Sequence, residues 1–127
     1  MKVVALDFGV ARTGVAVSDA TGTLARPVGI VEKAGTTAGL DRLVAVVGEH
    51  EAELVLVGLP LTLRGEHGEQ ARATEAFVEA LRTRLTIPVE TYDERFTTTL
   101  AQQTGGRAPE DAVAAAHLLQ GWLERPR

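Results

Sequence analysis

Asp7 closes the apolar run Val3-Val4-Ala5-Leu6, and the segment DFGVARTGVAVSD that follows holds two glycines, Gly9 and Gly14, around a single arginine, Arg12. A carboxylate at the end of a buried strand is costly unless something positive faces it. Arg12 could serve, as could Arg95, and so could a magnesium or manganese ion. Hard divalent cations take oxygen ligands and are held by one or two carboxylates plus substrate phosphates. Two such ions roughly 4 Å apart can stabilise both the attacking and the leaving oxygen of a phosphodiester. Glu94, in Asp93-Glu94-Arg95, and Asp111, in Glu110-Asp111-Ala112, are the other acids suited to that task.

These three acids meet only if the elements carrying them converge. Residues 2–8 and 14–19 read as two strands of a hairpin, and 24–31 as a third, with Pro27 favouring an edge position. Leu40, Leu43, Val44 and Val47 recur at helical spacing within 37–49. Leu54-Val55-Leu56-Val57 reads as a central parallel strand covered on both faces. A helix follows at about 69–85, with Ala73, Phe77, Ala80, Leu81 and Leu85 expected to face inward and Thr74 at the border of the stripe. Then come a strand from Ile87 to Tyr92, a short helix at 97–103, and a last helix that Pro109 opens and that runs to about Leu123. The pattern βββαβαβαα predicts an α/β fold, a five-stranded mixed sheet ordered 3-2-1-4-5 with helices on both faces. In such sheets ligands bind beyond the carboxyl ends of the parallel strands, where the strand order reverses. Asp7, Gly58 and Asp93-Glu94 all end there. The small residues Ala112, Ala114, Ala115 and Ala116 would let the last helix approach the sheet closely and carry Asp111 inward.

The 127 residues suit a single domain. Cysteine is absent, which removes disulfides and thiolate metal sites and fits a cytoplasmic protein. No apolar run is long enough to span a bilayer, and no signal peptide is expected. The net charge of −4 argues on its face against a nucleic-acid partner. Its distribution softens that objection: Glu49, Glu51 and Glu53 cluster at one helix end, while Arg12, Arg64, Arg72, Arg95 and Arg107 sit in or beside loops.

Simpler readings exist for each residue. Asp7 could be half of a salt bridge, Glu94 a solvated charge, and Asp111 an acid favoured by a helix dipole. Gly9 and Gly14 could serve the hairpin turn alone. His67 reads as an exposed loop residue, His50 as a helix end, and His117 as packing. Trp122 and Phe77 read as core. Convergence of three acids on one edge is what favours metal chemistry over these alternatives.

With those residues in place, DFGVARTGVAVSD, VGLPLTLRGEHG, TYDERFTTTLA and EDAVAAAHLLQ together resemble, in order and spacing, the motifs of the YqgF-type Holliday-junction-resolvase-like, or pre-16S rRNA, nucleases. The resemblance covers nearly all of residues 1–127. It implies an RNase H-like fold and a nuclease dependent on Mg2+ or Mn2+. The substrate would be nucleic acid, either the 5′ end of precursor small-subunit ribosomal RNA or branched DNA. The family's acids fall on Asp7, Glu94 and Asp111, as catalytic and metal-holding residues, and its loop arginines on Arg12 and Arg95; Arg64 and Arg107 are further candidates for substrate contact. A non-catalytic binding module of rRNA processing or transcription is the rival, distinguished by indifference to EDTA. An actin-like nucleotide-binding protein is a second rival, but that group generally carries a second lobe and a second phosphate loop. Exposed faces near Leu61 and Leu63 could pair two chains in a homodimer, which symmetric cutting of a junction would need.

Thr62 and Arg64 stand where the family often has asparagine and an acid. The family's longer, lysine-rich loop before the last acid is here only Thr104-Gly105-Gly106-Arg107-Ala108-Pro109. Fewer phosphate contacts release fewer counterions, so binding of this chain to nucleic acid should fall less steeply with salt than binding of a lysine-rich relative. A salt titration measures this directly, and an equal or steeper slope contradicts it.

Overall fold

Strand order follows from how the apolar runs pair. In the computed structural model, which describes residues 1–60, 67–93 and 110–126, five strands form one sheet. They are β1 (Val3–Asp7), β2 (Arg12–Ser18), β3 (Ala25–Glu32), β4 (Leu54–Leu59) and β5 (Val89–Asp93). The order β3-β2-β1-β4-β5 is the expected one. β1, β2 and β3 form an antiparallel meander, whereas β4 runs parallel to both β1 and β5. The order therefore reverses between β1 and β4, at the carboxyl end that Asp7 occupies. Pro27 lies on the edge strand β3, where a missing N–H breaks no inner ladder.

Three helices among the described residues cover the two faces: α1 (Thr37–Glu49), α2 (Glu69–Arg82) and α3 (Glu110–Glu124). Thr36 caps α1, its hydroxyl accepting from the Gly39 N–H at 3.1 Å. Side-chain alternation along the strands divides the interior into two cores. Val4, Leu6, Val15, Val17, Val55 and Val57 face α1 and α2, packing on Leu40, Leu43, Val47, Phe77 and Leu81. Val3, Ala5, Ala16, Leu54 and Leu56 face α3, packing on Ala115, Leu118, Leu119 and Trp122. Phe77 and Trp122 are core residues, as expected.

Four expectations are corrected. α2 is rotated: Ala73 is exposed, and the buried stripe runs through Ala71, Thr74, Phe77, Val78 and Leu81. Thr74 can be buried because its hydroxyl donates to the Gln70 carbonyl one turn back at 2.8 Å. α2 also ends at Arg82, with Leu85 and Ala80 packing at the rim of the core, and Arg72 lies in this helix rather than beside a loop. β2 begins at Arg12, two residues earlier than expected, so Gly14 lies inside the strand rather than at its border with the turn. The helix expected at 97–103 and the dimer faces at Leu61 and Leu63 lie outside the described residues. No helix among the described residues is long and apolar enough to cross a membrane.

Candidate active site

Asp7 is half-buried at the end of β1 and pairs directly with Gly14 of β2. Directly paired residues of an antiparallel ladder point their Cβ atoms to the same face. Alternation assigns that face: Val3 and Ala5 of β1, and Ala16 of β2, lie against α3. Asp7, Gly14 and Arg12 continue these two series, so all three belong to the α3 side of the sheet.

Gly14 is where the helix arrives. A Cβ built on it would fall 1.8 Å from the carbonyl oxygen of Asp111 and 2.8 Å from the Ala112 nitrogen. No side chain fits there, so the first turn of α3 rests on the bare main chain of β2. Paired Cβ positions in such a ladder lie about 5 Å apart, which brings the Asp7 side chain within a residue's reach of the Asp111 main chain. The Asp111 carboxylate turns toward β2, where its Oδ2 lies 3.3 Å from Arg12 Nε. That pair is open to water, with side-chain exposures of 63% for Arg12 and 40% for Asp111. An exposed pair of this kind contributes at most about 1 kcal/mol and is easily exchanged for another partner.

The turn from Phe8 to Ala11 is held from several sides. A Cβ on Gly9 would meet the Arg12 carbonyl oxygen at 2.5 Å, so this tight approach also needs glycine. Lys33 donates its N–H to the Ala11 carbonyl at 2.9 Å, tying the turn to the end of β3. The Phe8 ring stacks on Phe77 with centroids 4.3 Å apart. The segment carrying Asp7 and Arg12 is therefore tied to β3 and to α2.

Of the sequence candidates, Arg12 and Asp111 form an ion pair, and Asp7 ends β1 on the same face of the sheet. Glu94, Arg95, Arg64 and Arg107 lie outside the described residues. Glu94 is next in sequence to Asp93, the last residue of β5, which pairs with Leu59 at the end of β4. Among the described residues no group of three or more histidines, cysteines or acids could hold a metal. Two carboxylates with a substrate phosphate are nonetheless a donor set that magnesium accepts. The histidines lie elsewhere. His67 Nδ1 pairs with Glu75 Oε1 at 2.7 Å, His50 ends α1, and His117 is half-buried in α3. The bare main chain at Gly14, the contact that sets the geometry, was missed as such. The run of small residues in α3 was its visible signal.

The profile of the RuvX family, described as Holliday junction resolvase, matches residues 1–125. A "Putative pre-16S rRNA nuclease" of Rhodococcus erythropolis is 42% identical, over 95% of this chain and 76% of its own length. One of Chloroflexus aggregans carries the same name and is 39% identical, over 98% of this chain and 94% of its own. Among solved structures, RuvC of T. thermophilus in complex with a Holliday junction substrate superposes with a TM-score of 0.64 at 18% identity. That match covers 97% of this chain and 93% of RuvC. It shows that the fold is RNase H-like. A hexokinase of the ROK type from Thermus thermophilus matches at a TM-score of 0.51 and 24% identity, over 80% of this chain but only 37% of the hexokinase. That match shows likeness of fold alone.

Substituting Gly14 tests the contact. Gly14→Ala should lower the unfolding free energy by roughly 3 kcal/mol, because the first turn of α3 must lift off the strand. Gly48→Ala, where an added Cβ meets nothing within 4 Å, should not lower it. Urea denaturation of both variants checks this; equal behaviour of the two would contradict the packing described.

Proposed function

The chain belongs to the RuvX family, and from that membership we propose that it is a metal-dependent nuclease that hydrolyses phosphodiester bonds of structured nucleic acid at the edge shared by Asp7 and Asp111. The 5′ end of precursor 16S rRNA is the first candidate substrate, by likeness to the curated relatives; branched DNA is the second, by the family's description. The observation that supports the reading is the bare contact at Gly14, where the Asp111 main chain rests on the residue that pairs with Asp7.

The donor set fits a hard divalent cation. Asp7 and Asp111 offer only carboxylate oxygens, and Glu94, one residue beyond β5, is the third ligand of this proposal. When bound, magnesium or manganese supplies positive charge against the phosphate and lowers the pKa of water. The β1–β2 ladder fixes the Asp7 main chain, so only its short side chain has to be ordered on binding. Asp111 is anchored through its main chain against Gly14 while its side chain stays accessible. Arg12 neutralises Asp111 in the free protein. Its guanidinium is free to form two charge-assisted hydrogen bonds with a phosphate once substrate arrives. Arg95, Arg64 and Arg107 are proposed as further contacts to the strand. The proposal extends to a soluble, cytoplasmic site of action, without a membrane partner.

Assays in manganese or magnesium on a precursor rRNA end and on a four-way DNA junction decide the matter. Asp7→Asn should abolish cleavage while leaving the circular dichroism spectrum and melting transition close to wild type. Arg12→Ala should slow cleavage roughly tenfold or more. A pure preparation of Asp7→Asn that cuts as fast as wild type would overturn the assignment. A wild-type protein that binds these substrates equally in EDTA and never cuts would instead be a binding module.

A further inference from the structure

Asp7 also stands on the rim of a second feature, a cleft of about 170 Å³ on the side of the hairpin turn away from α3. Phe8, Val10, Pro60, Gln70 and Ala73 line it. We propose that this cleft is a subsite for one unpaired nucleobase of the strand whose phosphodiester lies at Asp7. The proposal rests on the nuclease reading above and deepens it by naming how the substrate strand is read.

Size selects the ligand first. Pockets for drug-sized molecules run from about 300 to 1,000 Å³, so this cleft has room for little more than a single flat ring. Chemistry selects next. Val10 is 80% exposed, the most exposed large apolar side chain among the described residues. It projects at the tip of a turn that the Lys33 hydrogen bond and the Phe8–Phe77 stack hold in place. A water-exposed apolar tip, on a turn tied at its neighbours and beside the proposed active site, is a surface against which a base face can pack. Pro60 and Ala73 add further apolar wall from β4's end and from α2. The rotation of α2 matters here, because it turns Ala73 out of the core and toward solvent.

Gln70 supplies the polar element. Its main-chain carbonyl accepts from Thr74, yet among the described residues none hydrogen-bonds its side-chain amide. A primary amide carries both donors and an acceptor, the complement of a base edge. Unpaired bases are recognised by this combination of an apolar face and a hydrogen-bonded edge. Position selects last. Asp7 ends β1 at the rim of the cleft while its side chain belongs to the α3 side, so the cleft and the carboxylates adjoin at one strand end and an occupant belongs to a nucleotide neighbouring the reacting phosphate. A duplex would not reach it without displacing a base, so the subsite favours substrates that are unpaired at the cut.

Two arms test this. In the first, single-stranded and branched substrates of RNA and of DNA carry an abasic residue at successive positions around the cut. Wild-type cleavage should fall roughly tenfold at one position next to it. Gln70→Ala should relax the base preference at that position. Unchanged rates at every abasic position, or wild-type base preference in both Gln70→Ala and Val10→Ser, would overturn the proposal. The second arm needs no cleavage. Ribo- and deoxyribonucleoside 5′-monophosphates should shift the NMR amide signals of Phe8, Gln70 and Ala73 in wild type, and more weakly in Gln70→Ala. If wild type cuts nothing, the nuclease reading fails and this arm alone decides: absent shifts overturn the subsite, and selective shifts support it.

Discussion

One close approach sets the geometry of this protein: the first turn of α3 rests on the main chain of Gly14. Any side chain at that position would occupy the space of the Asp111 carbonyl. The far half of the helix is fixed separately. Leu118, Leu119 and Trp122 are buried against Val3, Leu54 and Leu56. The Gln120 amide also accepts from the Ala25 N–H and donates to the Thr23 carbonyl. Pinned along its length, α3 cannot slide without losing either its core contacts or its seat on β2. Packing and chemistry are therefore coupled: what seals one side of the sheet also delivers Asp111 to the end of β1.

The proposed site would have to work in an acidic protein, and the local charge bears on that. Two carboxylates on one face repel a phosphate, and the chain's net charge of −4 offers no general attraction. Arg12 offsets this locally, held beside Asp111 by a pair that is largely open to water. A weak pair of this kind keeps the arginine positioned while leaving it able to change partner. Other acids are occupied elsewhere. The Asp19 carboxylate, for example, is held below the usual aspartate range by the Thr23 and Leu24 N–H groups and the Thr21 hydroxyl in the β2–β3 turn.

Much of this was legible in the sequence, for identifiable reasons. The continuous apolar runs of β1 and β4 and the proline in β3 were enough for the sheet order, because parallel central strands and edge strands leave different signatures. Helix α1 was readable to its ends from the spacing of Leu40, Leu43 and Val47, although Val44 is only half-buried; its Thr36 cap was not read. In helix α2 the edge of the buried face was misread at Ala73, since Ala73 and Thr74 differ little in size and only the hydroxyl's bond to Gln70 makes the burial of Thr74 inexpensive. The role of Gly14 was not legible. A glycine near a turn is ordinary, and nothing local shows that a helix almost a hundred residues later will touch it. The small residues of α3 gave half of that contact; only the folded chain gives the other half.

Binding of manganese itself, followed by electron paramagnetic resonance without substrate, bears most directly on the claim that Asp7 and Asp111 form one cation site. Titrations of the wild type, Asp7→Asn and Asp111→Asn should show a bound ion in the first. Each variant should lose affinity by about tenfold or more, since each replaces a charged carboxylate with a neutral amide. Wild-type affinity in both variants would mean that the two acids, though brought to one face of the sheet, do not share an ion.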